Sequence, residues 1–129
     1  MRRRAPCIRA SPAVILGATL YVIACNGEHV PHVTVAGGNA DRGRLAVESY
    51  GCGACHVIPG VPGARGLTGP PLNSFARHVY IAGELPNEPE LLVRWIRDPP
   101  SLAPQTAMPN LGVSEATARD IAAYLYELR

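Results

Sequence analysis

The sequence predicts a small all-α domain in which about three main helices are joined by long irregular loops, and three observations carry that expectation. Apolar and small residues recur at helical spacing in three separate stretches, Asp41 to Gly51, Asn87 to Asp98 and Ser114 to Leu128. Between the first two lies Val57 to Leu72 (VIPGVPGARGLTGPPL), where Pro and Gly recur every few residues and exclude both a helix and a central strand. The composition agrees: charged residues make up 17% of the 129, aromatics 5%, and Gly and Pro contribute 13 each, which is rich in turns and poor in core. That leaves room for one small domain at most.

Met1 to Cys25 reads as a leader rather than as part of this fold. Arg2, Arg3, Arg4 and Arg9 make a positive n-region, and Ala13 to Ala24 is an apolar run of h-region length, short of the roughly 20 residues of a membrane span. Val22-Ile23-Ala24-Cys25 resembles the lipobox of bacterial lipoproteins, which implies cleavage before Cys25 and a diacylglycerol on its thiol. The organisation is then a signal peptide over 1–24, a lipid-anchored tether over 25–40 and a domain over 41–129, held at the periplasmic face of a bacterial membrane. An ordinary signal peptide and an uncleaved N-terminal anchor are the alternatives. Cys7 lies in the n-region and would leave with it. Residues 25–129 keep 8 Arg against 10 Asp and Glu, a formal −2, and the chain has no Lys. Nothing in that balance suggests nucleic acid.

Asn26 to Ala40 holds Pro31 and the Gly37-Gly38 pair and fits a short tether. His29 and His32 are spaced as a possible metal pair, but further ligands are lacking and they read as solvated histidines. The first helix follows. Gly43, Ala46, Val47 and Tyr50 form its stripe, and Asn39 or Asp41 can cap its start. A glycine inside a helix costs about 1 kcal/mol relative to Ala, so Gly43 implies close approach of another helix.

That helix runs into Tyr50-Gly-Cys-Gly-Ala-Cys-His56. Cys52, Cys55 and His56 make a C-x-x-C-H, the spacing of a c-type haem attachment site. Two thiols separated by two residues can bond the two vinyl groups on one porphyrin edge, and the next residue offers an imidazole to the iron. A thioredoxin-like site would need a preceding strand, and a zinc site a second ligand pair; neither is visible. A covalently held macrocycle would also supply the core that so short a chain lacks. A free Cys25 beside such a pair would be a liability in an oxidising compartment, which favours its lipidation.

Downstream, Thr68-Gly69-Pro70-Pro71-Leu72 resembles the T-G-P-x-L segment of the class I cytochrome c family. The resemblance implies that the Pro70 carbonyl accepts the second N–H of His56, and that Leu72 packs on the proximal haem face. It also implies that Arg77 and Tyr80 hydrogen-bond the haem propionates, since buried carboxylates need donors. Asn87-Glu-Pro-Glu90 reads as a helix start, with Asn87 as N-cap, Pro89 in the first turn and Glu90 reaching back; Leu91, Leu92, Trp95 and Ile96 share a face, and Pro99-Pro100 stops the helix. Leu92-x-x-Trp95-Ile-x-x-Pro99 followed by Pro104-Gln-Thr-Ala-Met108 resembles that family's L-x-x-Y-L-x-x-P … P-x-T-x-M pattern. By that resemblance Met108 is the second iron ligand and Trp95, where the family usually has Tyr, covers the distal face. In the last helix Ser114 is the cap and Ala118, Ile121, Ala122, Leu125 and Leu128 form the stripe.

Taken together, the motifs imply a class I cytochrome c fold with one haem c, its iron held by His56 and Met108. With both axial positions filled, the expected function is one-electron transfer rather than chemistry on a small-molecule substrate. Residues 57–109 are similar to cytochrome c domains of bacterial haem-copper oxidases, which makes a terminal oxidase the expected electron acceptor. The haem c, electron-accepting subunit of a periplasmic dehydrogenase, or a haem sensor or enzyme with a labile Met108, are the alternatives.

Overall fold

The computed structural model describes residues 32–129. The expectations placed on the leader, on Cys25 as a lipidation site and on His29 lie outside the described residues.

Helix α1 spans Ala40–Ser49. Asn39 caps it, its side-chain oxygen accepting the Arg42 N–H at 2.9 Å, and Asp41 sits in the first turn at the positive end of the dipole. The helix closes through Tyr50 and Gly51, whose N–H donates to the Glu48 carbonyl at 3.1 Å. Its buried face, Gly43 and Val47, lies on the last helix, α4 (Glu115–Glu127), in the most extensive packing between elements. At the crossing, a Cβ on Gly43 would lie 2.0 Å from the Asp120 carbonyl oxygen and 2.9 Å from the Tyr124 Cβ. Only glycine lets the two backbones meet there. Ser114 caps α4 by accepting the Thr117 N–H at 3.1 Å, and Ala118, Ile121, Ala122, Tyr124, Leu125 and Tyr126 are buried along it.

Asp120 is a carboxylate buried at that crossing. It accepts the Asn39 N–H at 2.7 Å and, side-on, the Nε–H and one Nη–H of the Arg42 guanidinium at 2.7 and 2.8 Å. The Arg42 hydrogen bond, against the opposing effect of burial and with help from the Asn39 N–H, holds its carboxyl below the usual range. A depressed carboxyl adds stability above its unfolded pKa, near 3.9, and that stability is lost as pH falls through the folded value. Asp120→Ala should therefore cost about 1–2 kcal/mol at pH 7, at the modest end because Arg42 is solvent-exposed. In urea unfolding the gap between wild type and variant should narrow from pH 7 to pH 3; a gap independent of pH would contradict this account.

Helix α2 (Pro89–Arg97) buries Leu92, Val93, Trp95 and Ile96 against α4. Its start differs from the expected one. Glu88 occupies the cap position with no side-chain bond, and the Asn87 amide is turned away to the carbonyls of Phe75 and His78. Glu90 does not reach back; Arg119 on α4 takes its carboxylate with a two-pronged grip at 2.8 and 2.9 Å. Pro99-Pro100 ends α2 as expected but also opens a one-turn helix, α3 (Pro99–Leu102), because proline is tolerated in a first turn.

Two further features lie outside the sequence reading. A minimal antiparallel ribbon pairs β1 (Tyr80–Ile81) with β2 (Leu85–Pro86), Tyr80 opposite Pro86. The packed chain also begins ahead of Asp41: Val35 is in the core, and Arg119 donates to the Ala36 carbonyl at 3.2 Å. Among the described residues no helix is long and apolar enough to cross a membrane.

Candidate functional site

Beyond Gly51 the chain tightens into a 3-10 turn, Cys52–Ala54, and both the Cys55 and His56 N–H groups return to the Cys52 carbonyl, at 3.2 and 3.0 Å. Three residues per turn bring Cys52 and Cys55 to the same side of the chain. Both are free thiols and half-buried. Burial pushes the Cys52 thiol up, which keeps it protonated near neutral pH.

His56 follows directly, and its Nδ1 lies 2.7 Å from the Pro70 carbonyl oxygen. A carbonyl can only accept, so Nδ1 carries a proton and donates it; in the neutral tautomer the ring's lone pair then falls on Nε2. This contact, expected from the sequence, sets the tautomer that a metal-binding imidazole needs. The loop after His56 lies backbone to backbone on the turn. Gly66 N–H donates to the Gly53 carbonyl at 3.0 Å, Gly69 N–H to Cys55 at 2.8 Å, and Leu72 N–H to Val57 at 2.8 Å. The Tyr124 hydroxyl donates to the Pro59 carbonyl and ties the start of the loop to α4.

The sequence reading assigned no role to Gly69. A Cβ there would stand 2.3 Å from His56 Cε1 and 2.6 Å from Nδ1, so the imidazole rests directly on the Gly69 backbone. Its position beside Pro70 was the available signal, but the steric reason depends on where the ring lies.

The remaining predicted residues are more dispersed. Leu72 is half-buried and packs against the core. Arg77 ends a 3-10 turn, Phe75–Arg77, and is exposed; Tyr80 opens β1 and is 55% exposed. Among the described residues neither side chain has a hydrogen-bond partner, nor does the Trp95 indole, which is buried in the core on α2. Met108 is half-buried against the core in the loop between α3 and α4, and its N–H donates to the Thr106 hydroxyl at 3.2 Å. The hydrogen bonds thus unite the cysteine turn, His56 and Pro70, and none joins Arg77, Tyr80, Trp95 or Met108 to that unit. Among the described residues no three His, Cys, Asp or Glu side chains converge as a metal-holding group.

No protein-family model matches the chain. Over 91 residues it is 37% identical to cytochrome c oxidase subunit 2 of Alkalihalophilus pseudofirmus, an overlap that covers 70% of this chain and 26% of that protein. The chain thus spans about a quarter of the length of that relative.

Proposed function

We propose that this protein is a class I cytochrome c: it carries one covalently attached haem c and passes single electrons to a terminal haem-copper oxidase. The observation that carries the reading is the Nδ1–H of His56 donated to the Pro70 carbonyl, which in the neutral ring puts the lone pair on Nε2 of the residue that directly follows the two-cysteine turn. Each thiol S–H would add across one vinyl C=C, forming an S–C bond while the hydrogen goes to the other vinyl carbon, with no net oxidation. The bound haem supplies a one-electron ferric/ferrous couple. His56 Nε2 and the Met108 thioether would hold the iron, a pair that raises the potential and leaves no position for a substrate. Leu72 and Trp95 would cover the two faces, and Arg77 and Tyr80, without partners among the described residues, would donate to the propionates.

Exposed apolar residues support the fit. Leu67 is 89% exposed on the loop after His56, Val79 71% beside Tyr80, and Leu111 41% just past Met108. They lie on the three loops that the resemblance wraps around the macrocycle. The oxidase as partner draws on the similarity to cytochrome c oxidase subunit 2. With no Lys in the chain, docking uses Arg and apolar contacts, and a lipid on Cys25 would raise the effective concentration near a membrane partner.

The test is the full chain co-expressed with a haem-attachment system and then denatured. Haem should stay with the polypeptide, remain through one thioether in Cys52→Ala or Cys55→Ala, and be lost from the double variant. Haem that washes out of the denatured wild type would overturn the reading.

A further inference from the structure

Ser74 at φ 56° and Ala82 at φ 52° are the non-glycine residues held in the left-handed region among the described residues, and they bracket one short segment. Such conformations persist only where the surroundings over-determine them, and they concentrate at functional sites. Ala82 lies in the turn between β1 and β2, next to Gly83 at φ 79°, where the Glu84 N–H closes back on the Ile81 carbonyl at 3.1 Å; the part of the segment that follows Ser74 is tied instead by Asn87. Its amide nitrogen donates to the Phe75 carbonyl at 3.2 Å and to the His78 carbonyl at 2.8 Å, using both hydrogens. Its amide oxygen accepts the Tyr126 hydroxyl at 2.9 Å, and its backbone N–H donates to the Val79 carbonyl at 3.0 Å. The amide can point only one way, because a flipped group would set its oxygen against two carbonyls. Phe75 locks the inner side, buried and edge-on to Tyr126 at 5.9 Å between ring centroids.

Arg77, His78, Val79 and Tyr80 are all exposed, and the side chains of Arg77 and Tyr80 have no hydrogen-bond partner among the described residues. Asn87 thus ties the backbone from which these outward side chains project.

We infer that Asn87 is a positioning residue of the haem site, whose hydrogen bonds hold the Phe75–Val79 backbone so that Arg77 and Tyr80 meet the haem. The inference rests on the haem reading above. Releasing the segment would free the guanidinium and admit water, and both changes favour the oxidised, more highly charged haem.

The experiment is redox titration of the full-length haem-loaded protein as wild type, Asn87→Ala and Tyr126→Phe. Asn87→Ala should lower the equilibrium constant for reduction about tenfold, which for one electron is about 59 mV. Tyr126→Phe, which keeps the ring but frees one end of the amide, should lower it by less. A purely structural role would lower the thermal stability of both variants and leave both potentials at the wild-type value; that result overturns the inference while the haem reading stands. If Asn87→Ala does not accumulate, Tyr126→Phe decides alone, and an unchanged potential counts against the inference. A wild type that attaches no haem removes the functional reading itself.

Discussion

Gly69→Ala should strip His56 of its orientation and sharply reduce the yield of covalently loaded protein. The new methyl group would need to occupy space 2.3 Å from Cε1, 2.6 Å from Nδ1 and 2.8 Å from Nε2 of the imidazole. Neither partner can give way cheaply. The ring is tethered to the Pro70 carbonyl at 2.7 Å, and Gly69 itself is tethered through its N–H to the Cys55 carbonyl at 2.8 Å. Relief means breaking one of these bonds or lifting the loop off the cysteine turn. Overpacking of this kind typically costs about 1–3 kcal/mol, and the direct overlap with a ring puts Gly69→Ala at the upper end. Urea unfolding would read that loss, and haem content after denaturation would read the effect on loading. Thr68→Ala, one residue away and exposed, should be close to wild type in both. Equal behaviour of the two variants would mean that the ring does not depend on the Gly69 backbone.

Met108→Ala should open the iron, so that the reduced protein binds carbon monoxide and the equilibrium constant for reduction falls more than tenfold. The competing account is that Met108 only fills space, since it is half-buried against the core. The two accounts separate cleanly. A gap-filler truncated to alanine loses about 2 kcal/mol of stability and leaves the spectrum unchanged. A ligand removed changes the spectrum, the potential and the carbon monoxide response together. Met108→Leu sharpens the contrast, because it keeps the packing volume and removes the sulfur. Leucine should restore most of the stability and none of the spectrum.

Much of the scaffold was legible because its causes are local. Asn39 and Ser114 each cap a helix three residues ahead of the N–H they satisfy; Ser114 is where the sequence placed it, and of the two candidates for the first helix Asn39 is the cap and Asp41 lies in the first turn. Gly43 announced a close crossing because an internal helical glycine otherwise has no reason to be there. The His56–Pro70 contact was legible for another reason: the T-G-P-x-L resemblance supplied it, not the spacing alone. What escaped was non-local. Asn87-x-Pro-Glu is a sound local start signal, yet the amide answers instead to carbonyls 9 and 12 residues back and to a hydroxyl 39 residues on. Glu90 was read as a capping partner and is taken by Arg119, 29 residues away. The ribbon at Tyr80–Ile81 has strands of two residues, too short for alternation to register. Val35 sits among Pro and Gly and reads as tether, although it is buried in the core.

The most direct test of the central claim is the optical spectrum of the haem-loaded wild type, oxidised, then reduced with and without carbon monoxide. A closed His56/Met108 carrier predicts the weak far-red band of thioether-ligated ferric iron and a reduced spectrum that carbon monoxide leaves unchanged. A clear shift on adding carbon monoxide would contradict it: the iron would then have an open or labile position, and the protein would be a sensor or an enzyme rather than an electron carrier.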